Sequence, residues 1–131
     1  MRFNLNDPNP GIWFEMVKGK PEEGRVCLRP LSDAKTRELD EKTVEKKPSK
    51  RNQIIPDIEI KNELRARLRW DYCIVDWEYI QDANGNEIPC TAENKFVLMD
   101  ESSFFNSIVS GFLETITEEQ ERLARAELPN L

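Results

Sequence analysis

The stretch Val75-Asp76-Trp77-Glu78-Tyr79-Ile80-Gln81-Asp82-Ala83-Asn84-Gly85-Asn86-Glu87-Ile88-Pro89 lies between two segments of helical periodicity and has none itself. Val75, Trp77 and Tyr79 alternate with polar residues, the period-two pattern of a half-buried strand. Asn84-Gly85 is a favoured pair for a tight hairpin turn because both residues tolerate positive φ. Glu87-Ile88 begins a short return strand, and Pro89 ends it. A hairpin between helices makes the chain mixed in class, and the rest of the sequence is read outward from it.

On the N-terminal side, Ile60, Leu64, Leu68, Tyr72 and Val75 recur at helical spacing, so residues 57–75 are expected as one central helix with a single apolar stripe. Arg65 and Arg69 lie beside that stripe one turn apart. They are expected to be solvated or paired with the acidic C-terminal helix, and a basic partner face is the sharper alternative. Before this helix, residues 40–56 hold an isolated Val44, Pro48 and a run of charges, the composition of a mobile solvated loop. Ser32 is placed to cap a short helix over about 33–42. Its apolar residues are only Ala34 and Leu39, so it is expected to be exposed or frayed. Residues 1–31 are β-rich: 12–17 and 25–28 read as strands joined by the loop Lys18-Gly19-Lys20-Pro21-Glu22-Glu23-Gly24, an N-terminal hairpin with a long turn.

Beyond the central hairpin, Thr91 is a candidate N-cap for a short helix over about 92–99, and Ser102 or Ser103 for a longer one. The longer helix carries Phe104, Phe105, Ile108, Val109, Phe112, Leu113 and Ile116, a stripe wider than one contact usually needs. Two fates are open: the whole face is internal, or its second edge is a self-association or partner groove. Phe104, Phe105, Ile108, Phe112 and Ile116 are the candidate partner-binding residues. From Glu114 to Glu127 five Glu stand against two Arg, and Thr117-Glu118-Glu119-Gln120 matches a capping box, so the helix is expected to break and restart there. Pro129 is expected to end it. The fold class is therefore α+β: an N-terminal hairpin, a central helix, a second short hairpin, and C-terminal helices packed over them, in one domain over 1–131 whose part from 57 onward is mainly helical.

Composition bounds the chemistry. A chain of 131 residues with three Trp, two Tyr and six Phe can hold a modest core. The net charge of −6 disfavours nucleic acid as the main partner and suits partners with basic surfaces. Histidine is absent, which removes the usual general base near neutral pH and the commonest transition-metal ligand. No enzyme activity and no cofactor are expected. Cys27, Cys73 and Cys90 are odd in number and far apart, so they read as reduced, buried thiols of a cytoplasmic protein. The start MRFNLNDPNP lacks a signal-peptide core, and no apolar run reaches the ~20 residues of a membrane span. Asp82, Asn84, Asn86 and Glu93 fit four positions of a twelve-residue calcium loop. Glu87 occupies the place that needs glycine there, so no metal is expected.

The run Val75-Asp76-Trp77-Glu78-Tyr79-Ile80 through Asp82, Gly85, Ile88-Pro89-Cys90-Thr91, Glu93-Asn94-Lys95 and Leu98 resembles the tail assembly chaperones of long-tailed phages and prophages. In that family a hydrophobic-x-x-Trp-Glu-Gly step leads through an Asp-x-x-Gly turn to hydrophobic-Pro-x-Thr/Ser-x-Glu-Asn, followed by two helices. The resemblance covers roughly residues 68–116. This chain departs from it at Tyr79, where the pattern most often has glycine, and at Cys90, where an aromatic or small residue is usual. The resemblance implies a cytoplasmic chaperone that binds the aggregation-prone tape-measure protein, with tail-tube subunits as a second partner, and that is absent from the finished particle. It implies no catalytic residues. Two other functions stay open: a structural tail-completion or head–tail connector protein, and a regulatory nucleic-acid-binding module using Arg65, Arg67 and Arg69.

Overall fold

A computed structural model describes residues 2–47 and 57–127. The fold is α+β: the described residues form a three-stranded antiparallel sheet, a separate two-stranded sheet and four helices. Strands β1 (Ile12–Glu15) and β2 (Arg25–Leu28) form the expected N-terminal hairpin, joined across a 3-10 turn at Pro21–Glu23. Gly24 closes that turn at φ 121°, and a Cβ there would meet the Ile80 side chain at 2.9 Å. The positive φ favours glycine, and any side chain here would also displace the end of Ile80.

Strand β5 (Ile74–Glu78) pairs with β2, so the sheet order is β1-β2-β5. Leu28 faces Ile74 and Cys27 faces Asp76, which leaves Val75 as the extra residue of a β-bulge. The bulge breaks the expected alternation. Ile74 and Trp77 point into the core, whereas Val75 and Tyr79, expected to share the face of Trp77, are exposed. The turn that follows is a three-residue loop. The Asp82 carbonyl accepts from the Gly85 N–H, and Gly85 alone of the pair takes positive φ, at 82°. Its return arm holds a single bridge, Gln81 to Glu87, and an Ile88 N–H bond to the Ile80 carbonyl.

Helix α1 (Asp33–Thr43) is capped by Ser32, whose hydroxyl accepts from the Lys35 N–H. Its expected exposure is corrected, because Leu39 and Thr43 are buried and the helix packs on α2 (Asn62–Cys73). Within the expected mobile loop, residues 40–43 finish α1, and β3 (Val44–Lys47) pairs antiparallel with β4 (Asp57–Ile60). Residues 48–56 of that loop lie outside the described residues. The central helix thus starts at Asn62 rather than at Asp57. The period-two order Asp57-Ile58-Glu59-Ile60 was the available signal for a strand there. At the other end the β-branched pair Ile74-Val75 takes the chain into β5.

Helix α3 (Ala92–Glu101) is capped by Thr91, and α4 (Ser103–Glu127) begins where the Ser102 hydroxyl accepts from the Phe105 N–H. The expected break at Thr117 does not occur. The Thr117 hydroxyl donates to the Leu113 carbonyl one turn back, so it stays within a continuous helix. Pro129 lies outside the described residues. The core is one cluster: Val26, Leu28, Ile74 and Trp77 from the sheet meet Phe105, Val109, Leu113 and Ile116 from α4, with Met99 and Cys73 beside them. Among the described residues no helix is long and apolar enough to cross a membrane.

Candidate functional site: the outer edge of the C-terminal helix

The five candidate residues of α4 have separate fates. Phe105 and Ile116 are buried in the core cluster. The Phe105 ring meets Trp77 edge-on, with centroids 5.9 Å apart and an 85° interplanar angle. Phe112 is half-buried, stacked on Phe14 of β1 at 4.5 Å and 13°. Ile108 is half-buried and lies outside the core cluster. Phe104 is 73 % exposed. The stripe is thus internal along Phe105, Val109, Leu113 and Ile116, and open along Phe104.

Phe104 stands at the wall of a groove of about 400 Å³. Its other walls are Met16 and Val17 from the loop of the N-terminal hairpin, Tyr79, Ile80 and Gln81 just past β5, Leu98 from α3, and Ser102 and Phe105 around the start of α4. Tyr79 and Val17 are 46 % and 45 % exposed. The hairpin loop, the segment after β5, α3 and the start of α4 thus bring three exposed apolar side chains, Val17, Tyr79 and Phe104, to one open surface that Glu23 also lines. Apolar side chains grouped around a recess on a charged chain offer a place where an apolar segment of a partner can sit. The sequence signal that named Phe104 was the width of the stripe. Val17 carried no binding signal, and the alternation placed Tyr79 in the core with Trp77; it reaches the groove because its positive φ turns the chain past the end of β5.

Trp77 is a scaffold residue for this site. It is buried, and its indole N–H donates to the Ile88 carbonyl at 2.6 Å, tying the turn to the strand. The neighbouring motif residues also act on the fold. Asp82 Oδ1 accepts from the Asn84 and Asn86 N–H groups, so this carboxylate is engaged by its own loop. The Asn94 side-chain amide donates to the Pro89 carbonyl at 2.9 Å. Lys95 is buried, and its Nζ donates to the Asp71 carbonyl at 3.1 Å and to Asp71 Oδ1 at 3.2 Å.

Arg65 and Arg67 of α2 are engaged by residues of α1, α2 and α3, and Arg69 lies beside Leu113, Thr117 and Gln120 of α4. Arg65 pairs with Asp40 of α1 at 2.7 Å, and Arg67 with Glu63 at 3.1 Å and Asp100 of α3 at 3.9 Å. The thiols lie in or against the core. Burial raises all three, Cys90 from the ordinary 9.0 to about 11, so none is an activated nucleophile near neutral pH. Cys27 is raised further by Asp76. Among the described residues no three Cys, Asp or Glu side chains gather at metal-binding distance. Comparison with known protein families, curated proteins and solved structures finds no match.

Proposed function

We propose that this protein is a non-enzymatic tail assembly chaperone of a tailed phage or prophage. It acts in the host cytoplasm and holds apolar helical segments of the tape-measure protein, with tail-tube subunits as a second client. The observation that carries the proposal is the exposed Phe104 beside the groove of Val17, Tyr79 and Ile80, on a chain of net charge −6. A chaperone for an aggregation-prone client needs an apolar surface that grips and a charged remainder that keeps the complex dissolved.

The backbone at Tyr79 adds support. Tyr79 has φ 58°, the left-handed region that favours glycine, at the position where the chaperone pattern most often has glycine.

Co-production with a tape-measure protein of a long-tailed phage tests the proposal. The parent chain should keep that protein soluble, and Phe104→Asp should lose most of the soluble client while remaining folded. Equal solubility with the folded variant removes this surface as the binding site. Presence of the protein in purified particles would instead favour a tail-completion or connector subunit.

A further inference from the structure

A second concavity lies between the segment joining β2 to α1, helix α2 and the middle of α4, and shares no lining residue with the groove beside Phe104. It consists of two recesses, of about 200 Å³ and about 380 Å³. Pro30, Leu31 and Gln120 line both and form the saddle between them. Arg69 lines only the first recess, and Asp33 only the second. A guanidinium and a carboxylate thus stand on either side of a saddle that is mostly apolar.

Both charges are uncommitted. Among the described residues neither Arg69 nor Asp33 is held in an ion pair within the chain. Burial keeps the Cys73 thiol of the first recess protonated although Arg69 and Arg29 pull the other way, so Arg69 has a neutral group beside it. In the second recess, Asn9 donates its side-chain amide to the Pro30 carbonyl at 2.9 Å and to the Tyr72 hydroxyl at 3.0 Å. Its donors are used, and among the described residues its Oδ1 has no partner. Asp33 and Asn9 therefore offer acceptors on that side. The side-chain amide of Gln120, on the saddle, is also without a partner among the described residues and carries both a donor and an acceptor.

Cation, amide and acceptors in that order complement a peptide followed from its carboxylate to its ammonium. We infer that the paired recesses bind a short free peptide. Its terminal carboxylate lies on Arg69, a peptide group on the Gln120 amide, an apolar side chain on Pro30 and Leu31, and its terminal ammonium at Asp33 and Asn9. Because the two charges line different recesses, a free amino acid, with both charges on one carbon, engages only one of them at a time. Each further residue adds about 3.3–3.6 Å of reach. Arg69 and Asp33 are exposed to solvent, so the binding is weak, on the order of 1 mM. The inference is independent of what the Phe104 edge holds.

Titration of the full chain with the tripeptide Ala-Leu-Ala, followed by the backbone amide signals of Leu31, Asp33 and Gln120, provides the test. These signals should move together and saturate. Amidating the peptide's carboxylate, or acetylating its ammonium, should each weaken binding roughly fivefold or more. Arg69→Gln should bind the tripeptide as weakly as the parent binds the amidated form, and should no longer distinguish the two. Asp33→Asn should lose the distinction between the free and the acetylated peptide in the same way. Both side chains are exposed, so neither substitution threatens the fold, and the capped peptides probe the unaltered protein in any case. Free leucine should bind at least about fivefold more weakly than the tripeptide. No saturable shift up to about 10 mM overturns the inference. So does binding indifferent to either cap, a cap penalty that survives the matching substitution, or free leucine binding as tightly as the tripeptide.

Discussion

Tyr79 is the one non-glycine among the described residues with positive φ. An L side chain in that conformation costs about 1–2 kcal/mol, because Cβ crowds the following carbonyl. The cost is met where β5 ends and the chain turns back toward the Asp82 loop, with Ile80 packed over Gly24. Comparing Tyr79→Gly with Tyr79→Ala isolates the strain, since both remove the ring from the groove and only glycine relieves the backbone. The glycine variant should be the more stable by about 1 kcal/mol in urea unfolding, the reverse of the usual order of Gly and Ala. An alanine variant at least as stable as the glycine variant would show that the site is not strained. The same stretch shows how far single residues are legible. The alternation around Trp77 identified it as core, and it is core. It misplaced Val75, because a bulge set by pairing with the distant β2 shifts the facing of the strand there, and Tyr79, because its positive φ turns the chain just past the end of β5.

Elements were legible where their signals are local. Ser32, Thr91 and Ser102 each accept the backbone N–H that their positions before a helix implied. The end of α2 was not legible, because its partners come from other elements. Arg29, just past β2, donates through Nε to the Tyr72 carbonyl at 2.7 Å and stacks its guanidinium over the Tyr72 ring at 3.8 Å. Lys95 of α3 bonds the Asp71 carbonyl from the other side. Two cations thus meet the negative end of the helix dipole and its unsatisfied carbonyls. They also fix the direction in which β5 leaves. Lys95→Met keeps the packing of the stem and removes the charge and donors. It should cost about 1–2 kcal/mol. Lys95→Arg should recover part of that loss. Asp71 is half exposed and can return its carboxylate to water, so a larger loss is not expected. Denaturant midpoints for the two variants check this, and a Met variant equal to the parent would mean the carbonyls are served as well by solvent.

At the scale of the molecule, the question posed by α4 is how a core this size divides one wide stripe. Periodicity gives the stripe and its width, but the covered edge depends on where the sheet lies. The sheet is assembled from β1, β2 and β5, and the last of these joins only through long-range pairing. Once β2 and β5 present Val26, Leu28, Ile74 and Trp77, the helix settles with Phe105, Val109, Leu113 and Ile116 against them. Phe112 then turns onto Phe14, and Phe104 is left outside. Adjacent phenylalanines should therefore behave oppositely. Phe105→Ala removes a ring packed edge-on against Trp77 and should cost about 3–5 kcal/mol, the range for truncating a buried large aromatic. Phe104→Ala removes an exposed ring and should change stability by no more than about 0.5 kcal/mol. Paired thermal melts of the two variants decide the matter. Equal losses would mean that Phe104 belongs to the core, leaving the outer edge of α4 with no free apolar surface to offer a client. A large loss confined to Phe105 would leave Phe104 free for binding, as the proposed function requires.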